Sequence, residues 1–190
     1  MARPKSNDKR IGILLSATRF IAEQGLGVPT SRIAKGAGVA EGTLFTYFEN
    51  KDVLLNQLYL ELKAELRELM FDAYPERGTP RARAQHVWHR YVQWGVSAPE
   101  KFKTLAQLGV SDRISEESLA IGARLFEPIF ALLQGSIASD VLRKQPAAFV
   151  GAIMVSLAEI SMNFTIREPK KAKAYAEAGF EVFWNAISAA

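Results

Sequence analysis

Apolar residues recur along the chain at intervals of three and four and almost nowhere alternate, a pattern that predicts helices and no sheet. Ile11, Leu14, Leu15, Thr18, Ile21 and Ala22 mark one face of a first helix. It ends at Gln24-Gly25, where glycine accepts the left-handed C-cap. Thr30 is the expected N-cap of a short second helix, and Gly38 turns the chain into a third, EGTLFTYF. A fourth begins at Asn50-Lys51-Asp52 and carries Leu54, Leu55, Leu58, Tyr59, Leu62, Leu66, Leu69 and Met70 at helical spacing. The break from Tyr74 to Pro80 ends it, and Thr79-Pro80 opens a fifth helix with Val87, Trp88, Tyr91, Val92 and Gly95 on its apolar face. Ala98-Pro99 opens a sixth, bearing Phe102, Leu105 and Leu108. A seventh runs from Ser115 through Leu119, Leu125, Phe126, Ile129, Phe130 and Leu133, with a kink expected at Pro128. An eighth spans Pro146 to Ile166, and Glu168-Pro169 divides it from a ninth ending near Ile187. About nine helices with short connections predict an all-α protein, with a three-helix head at residues 1–51 and a helical body at 52–190.

Composition narrows what such a fold can do. The 190 residues include no cysteine, which excludes disulfides, cysteine-ligated metals and thiol catalysis. The opening MARPKSNDKR is polar and basic, and Arg19 and Glu23 break the apolar stretch behind it, unlike a signal peptide. The longest apolar run, Phe149 to Phe164, carries Glu159 and is shorter than the ~20 residues a membrane span needs. A cytoplasmic protein with no membrane partner is expected. Charge is unevenly placed: residues 1–51 hold eight Lys or Arg against four acids, so the net +4 sits there and the remainder balances. A basic head on a neutral body is what phosphate binding would leave as its footprint.

The chemistry-bearing stretch begins at Thr30. Two short helices crossing steeply need a small residue at the crossing, a left-handed elbow and an apolar plug, and Ala34, Gly38 and Val39 supply them in order. Leu44 points back at Ala34 and Ile33 from the next helix. This predicts a helix-turn-helix whose second helix enters the major groove of double-stranded DNA, presenting Ala40, Glu41, Gly42, Thr43 and Thr46 to base edges. Threonine can bond a base or lay its methyl on thymine. Glu41 has the acceptor for a cytosine amino group and equally the charge that complements a helix N-terminus. Thr30, Ser31, Tyr47 and Lys51 are placed for phosphate clamping. Phe45 fits either a DNA contact or packing within the head.

The run IAKGAGVAEGTLFTYFENKDVLL, within residues 10–58, resembles the DNA-binding signature of the TetR family of one-component regulators. The resemblance implies DNA contacts for Thr30, Thr43, Phe45, Tyr47 and Lys51. Phe45 replaces the commoner tyrosine and lacks its hydroxyl. The MARPKS opening, the AEGTLF-YF core, the YLELK stretch and the LAE of the eighth helix are similar to RamR-type repressors of multidrug efflux.

Aromatic residues concentrate behind the head, where they serve either as core or as the wall of an apolar ligand site. The family resemblance implies an effector pocket for a small hydrophobic or aromatic molecule. Its candidate residues are Tyr59, Trp88, Tyr91, Phe126, Phe130 and Met154, with Glu159 an isolated acidic candidate. The resemblance also implies a homodimer through the last two helices, which would set two readers on a pseudo-palindromic operator. Ala158, Ser161, Ala176 and Gly179 would permit close approach there, and Met162, Phe183 and Trp184 would supply area. An enzyme is the rival class, but His86 and His89 are the chain's two imidazoles and no glycine-rich phosphate loop occurs. No metal or cofactor is expected. A sequence-blind architectural DNA binder is the alternative among DNA-binding readings.

Overall fold

The computed structural model describes residues 7–189, so the basic Arg3 and Lys5 and the MARPKS opening lie outside the described residues. The helices are α1 (Asn7–Gln24), α2 (Thr30–Gly36), α3 (Glu41–Tyr47), α4 (Lys51–Phe71), α5 (Pro80–Ser97), α6 (Pro99–Gly109), α7 (Glu116–Arg124), α8 (Glu127–Ala138), α9 (Ala147–Arg167) and α10 (Ala172–Ile187). A 3-10 turn, Pro169–Lys171, separates the last two. The fold is all-helical among the described residues, apart from an isolated antiparallel bridge between Leu142 and Ser188.

The expected seventh helix is two helices rather than one kinked helix. Proline has no N–H, and its ring collides with the carbonyl four residues back. For Pro128 that carbonyl belongs to Arg124, where α7 stops. Phe126 leaves helical geometry at φ −109° and ψ 13°, and Pro128 becomes a first-turn residue of α8. Other punctuation follows the sequence. Gly25 ends α1 at φ 80°, its N–H donating to Ile21 O at 2.8 Å. Ala82 N–H donates to Thr79 Oγ1 at 3.2 Å to cap α5, and Val53 N–H donates to Asn50 Oδ1 at 2.9 Å ahead of α4.

The chain packs as two compact units. The first runs through Ala64 and takes in Pro99–Gly122; the second comprises Glu65–Ala98 and the chain from Ala123 on. The first is built on Ile13, Ala17, Ile21, Ile33, Leu44, Phe48, Leu54, Leu55 and Leu58, joined by Leu108 and Ile114. Helix α6 locks onto α1 by hydrogen bonds as well: Thr104 Oγ1 donates to Thr18 O at 2.8 Å and Gln107 Nε2 to Ile21 O at 3.3 Å. Arg113 pairs with Asp52 at 2.6 Å, and Asn56 bonds the backbone of both Arg113 and Ser115.

In the second unit α5, α9 and α10 share a core. Trp88 stacks on Phe183 with centroids 5.7 Å apart, and its Nε1 donates to Ala176 O at 2.8 Å. Glycines let these helices close: a Cβ on Gly95 would lie 2.2 Å from Met162 Sδ, and one on Gly179 would lie 2.1 Å from Ser161 Oγ. Of the side chains expected at a dimer contact, Ala158, Ser161, Met162, Phe183 and Trp184 are buried within one chain, while Ala176 and Gly179 are half-buried. The large apolar side chains left exposed on α9 and α10 are Phe149, Val155, Ile160, Phe164, Ile166 and Val182. Helix α9 is also longer than the apolar run suggested; its 21 residues are enough, by length and composition, to cross a membrane. Its buried positions Val150, Ala158, Ser161, Met162 and Thr165 fall on one side, the pattern of a helix with one packed face.

Candidate nucleic-acid interface

Helix α2 is anchored from below and α3 from the side. Ser16 Oγ donates to Ile33 O at 2.7 Å, while Ile33, Ala34 and Leu44 are fully buried. Gly38 takes φ 68°, which an L-residue resists, and lets Val39 N–H reach Ala34 O at 3.0 Å. The elbow anticipated from Ala34, Gly38, Val39 and Leu44 is thus formed. Arg19 and Arg32 stand over the Phe20 ring at 4.5 and 5.2 Å, adding positive charge beside α2.

All ten residues singled out for DNA sit on or next to this frame. Ser31, Ala40, Glu41, Gly42, Phe45 and Thr46 are exposed; Thr30, Thr43, Tyr47 and Lys51 are half-buried. Thr30 does not cap α2. Pro29 occupies that position at φ −66° and ψ 144°, with no side chain able to bond the helix, and Thr30 is the first helical residue. Its hydroxyl instead donates to Glu41 Oε1 at 2.6 Å. Thr46 Oγ1 donates back to Gly42 O at 3.1 Å. Lys51 is turned inward: its ammonium donates to Leu26 O at 2.7 Å and Val28 O at 2.6 Å, tying α4 to the loop before α2. Burial holds the Lys51 pKa below its ordinary value, Arg113 lowers it further, and Asp52 opposes both. No spacing rule exposes the Thr30–Glu41 bond or the Lys51 clasp, because each joins groups across a turn.

The effector candidates lie in different surroundings. Tyr59 is buried in the first unit, with its ring against Gly122. Trp88, Tyr91 and Phe126 are buried in the second, and Phe130 and Met154 are half-buried there. Phe130 lies 3.9 Å from the position a Cβ would take on Gly151, and Tyr91 stacks on Trp94 at 6.3 Å. A cleft of about 490 Å³ in the second unit is lined by residues of α5 and α8, including Arg83 and Leu132, and by none of the six. Among the described residues no group of three or more His, Asp or Glu is placed to hold a metal ion.

A helix-turn-helix with a rigid core and an exposed, largely small-residue reading helix, followed by a helical body, defines a class of DNA-binding transcription regulators. Residues 13–58 match the family of bacterial regulatory proteins termed tetR. A solved tetR-family transcription regulator from Shewanella sp. PV-4 superposes with a TM-score of 0.86 at 26% identity, covering 96% of this chain and 99% of that one. FadR of Bacillus subtilis, solved with stearoyl-CoA, shares the fold at a TM-score of 0.69 and 20% identity, over 91% of this chain and 96% of its own. The uncharacterized HTH-type regulator YhgD of Bacillus subtilis is 27% identical over 140 residues, 73% of this chain and 68% of YhgD. Residues 13–58 thus carry the sequence of a tetR-type DNA-binding head, and the fold of the chain is similar to that of a solved tetR-family transcription regulator.

Proposed function

We propose that the chain represses transcription from a pseudo-palindromic operator as a cytoplasmic homodimer and releases it when an aromatic or amphipathic apolar molecule binds the helical body. The observation that carries this is the reading face: polar and small side chains held exposed on α3 above a core buried completely at Ile33 and Leu44. Thr43 and Thr46 face base edges in this reading, and Thr30, Ser31 and Tyr47 face phosphates. Lys51 reaches phosphate with whatever donor capacity its two carbonyl bonds leave. The exposed apolar residues of α9 and α10 are the surface a second copy would cover. The stearoyl-CoA bound by FadR supports an amphipathic effector, and the RamR-type resemblance of the AEGTLF-YF core, the YLELK stretch and the LAE of α9 supports a role in drug efflux control.

The test is a mobility shift with DNA flanking the protein's own gene, against random competitor at fixed salt. A specific shift is expected, about tenfold weaker for Thr43→Ala or Tyr47→Ala, the lower end of what one lost base or backbone contact set costs. Equal affinity for random DNA would instead mark a sequence-blind architectural binder. Titration with an amphipathic ligand should weaken the shift; ligands that bind without changing DNA affinity would refute the coupling.

A further inference from the structure

We infer that Glu41 is a specificity-determining residue that exchanges partners with Thr30 as DNA docks. The inference rests on the DNA-reading role proposed above for the head.

Thr30 and Glu41 are the first residues of α2 and α3, and the hydroxyl of one donates to the carboxylate of the other at 2.6 Å across the elbow. A threonine hydroxyl has a single hydrogen, so while it is held by Glu41 it cannot serve a phosphate. Glu41 is exposed, and among the described residues its side chain forms no ion pair and has Thr30 as its hydrogen-bond partner. With Thr30 as its one hydrogen-bond partner among those residues, it makes no side-chain bond to the backbone of α3, which removes the bonded form of the helix-terminus role. An ionised carboxylate can only accept.

These facts set the order of events at the DNA surface. A phosphate beside Thr30 competes for the same proton, and its charge repels the carboxylate next to it. The hydroxyl passes to the phosphate and Glu41 loses its donor. It must then find another in the major groove, where guanine offers two acceptors, thymine one acceptor and a methyl, and cytosine an amino donor. Adenine places an acceptor beside its amino group. Glu41 therefore gains a direct donor at cytosine, and at the other bases its carboxylate faces an acceptor and keeps only water. Its contribution to specificity is mainly a penalty on wrong sequences.

Selection of bound duplexes from a randomised pool tests the base assignment, using the full-length protein and its E41A and T30V variants. Both positions are at the surface, so circular dichroism should be unchanged. The wild type is expected to enrich cytosine at one position of each half-site, and E41A to lose that preference. Replacing that cytosine should weaken wild-type binding about tenfold, within the range for one misread pair, and E41A binding hardly at all. Affinities of the double variant test the exchange. T30V should cost several-fold more in the E41A background, where Thr30 breaks no bond to reach the phosphate. Enrichment of the same cytosine by E41A would overturn the base assignment, and additive effects of the two substitutions would overturn the exchange. If the wild type itself enriches no site, the regulatory reading fails together with this one.

Discussion

The side chains assigned to DNA and those assigned to an effector occupy opposite environments. None of the ten around α2 and α3 is buried, and none of the six aromatic or sulfur-bearing candidates behind them is exposed. Thr46 and Phe45 are exposed on a rigid frame, and their side chains are open to solvent. A buried Trp88 is already explained by Phe183, Phe180 and the Ala176 carbonyl. Residue type alone does not separate a ligand wall from a core, since a cluster of aromatics serves equally as either; what marks the head is the fixed-offset pattern of its elbow.

The sharpest way to break that contrast is Trp88→Ala. If the ring is core, truncation should destabilise the protein by about 3–5 kcal/mol, the usual cost of removing a fully buried aromatic. It also leaves the Ala176 carbonyl without its indole donor. Urea denaturation at neutral pH measures the loss. A cost below about 1 kcal/mol would show slack around the ring, and a ligand would then be the better account of it.

The head is legible in the sequence because its constraints sit at fixed offsets: Ala34, Gly38, Val39 and Leu44 each answer one geometric demand of two crossing helices. Features that depend on distant partners are not. Nothing in the spacing of Thr104 or Gln107 says that they bond carbonyls of α1 some 86 residues away. The same holds for α9 and α10. Small residues announce close approach but not whose backbone approaches, and Gly179 admits Trp88 and Ser161 of its own chain. The chemistry of Pro128 is plain from its type, but its outcome is stronger than a kink, since the helix ends and restarts. For the candidate sites, the residues assigned to DNA are exposed or half-buried around α2 and α3, while the effector residues are divided between the two compact units.

Tyr91 gives the next largest effect. Burial, with Glu159 adding to it, pushes its pKa up to about 12. An unfolded tyrosine loses its proton near 10, so the unfolded state is favoured once pH exceeds that value. Stability is unaffected by this group below about pH 10 and is lost as pH rises from there towards 12, by roughly 2–3 kcal/mol in all. Unfolding free energies at about pH 9 and about pH 11.5 should differ accordingly, and Tyr91→Phe should remove that part of the slope. Titration of Tyr91 at an ordinary pH would mean water reaches the ring, as it would in an open pocket.

The smallest effect concerns why each region needs glycine. At Gly38 no atom lies within 4 Å of where a Cβ would stand, but φ is 68°. At Gly179 the crowding is severe and the backbone is ordinary helix. Gly38→Ala should therefore cost about 1 kcal/mol from left-handed strain alone, and Gly38→Asn less, because asparagine tolerates that region. At Gly179 the order should invert, with alanine tolerated better than asparagine because added volume is the difficulty. Thermal or chemical denaturation of the four variants distinguishes the two causes. If asparagine were no better than alanine at position 38, backbone conformation would not be what selects glycine at the elbow, and the exposed reading face would owe its orientation to the packing of Leu44 and Val39 instead.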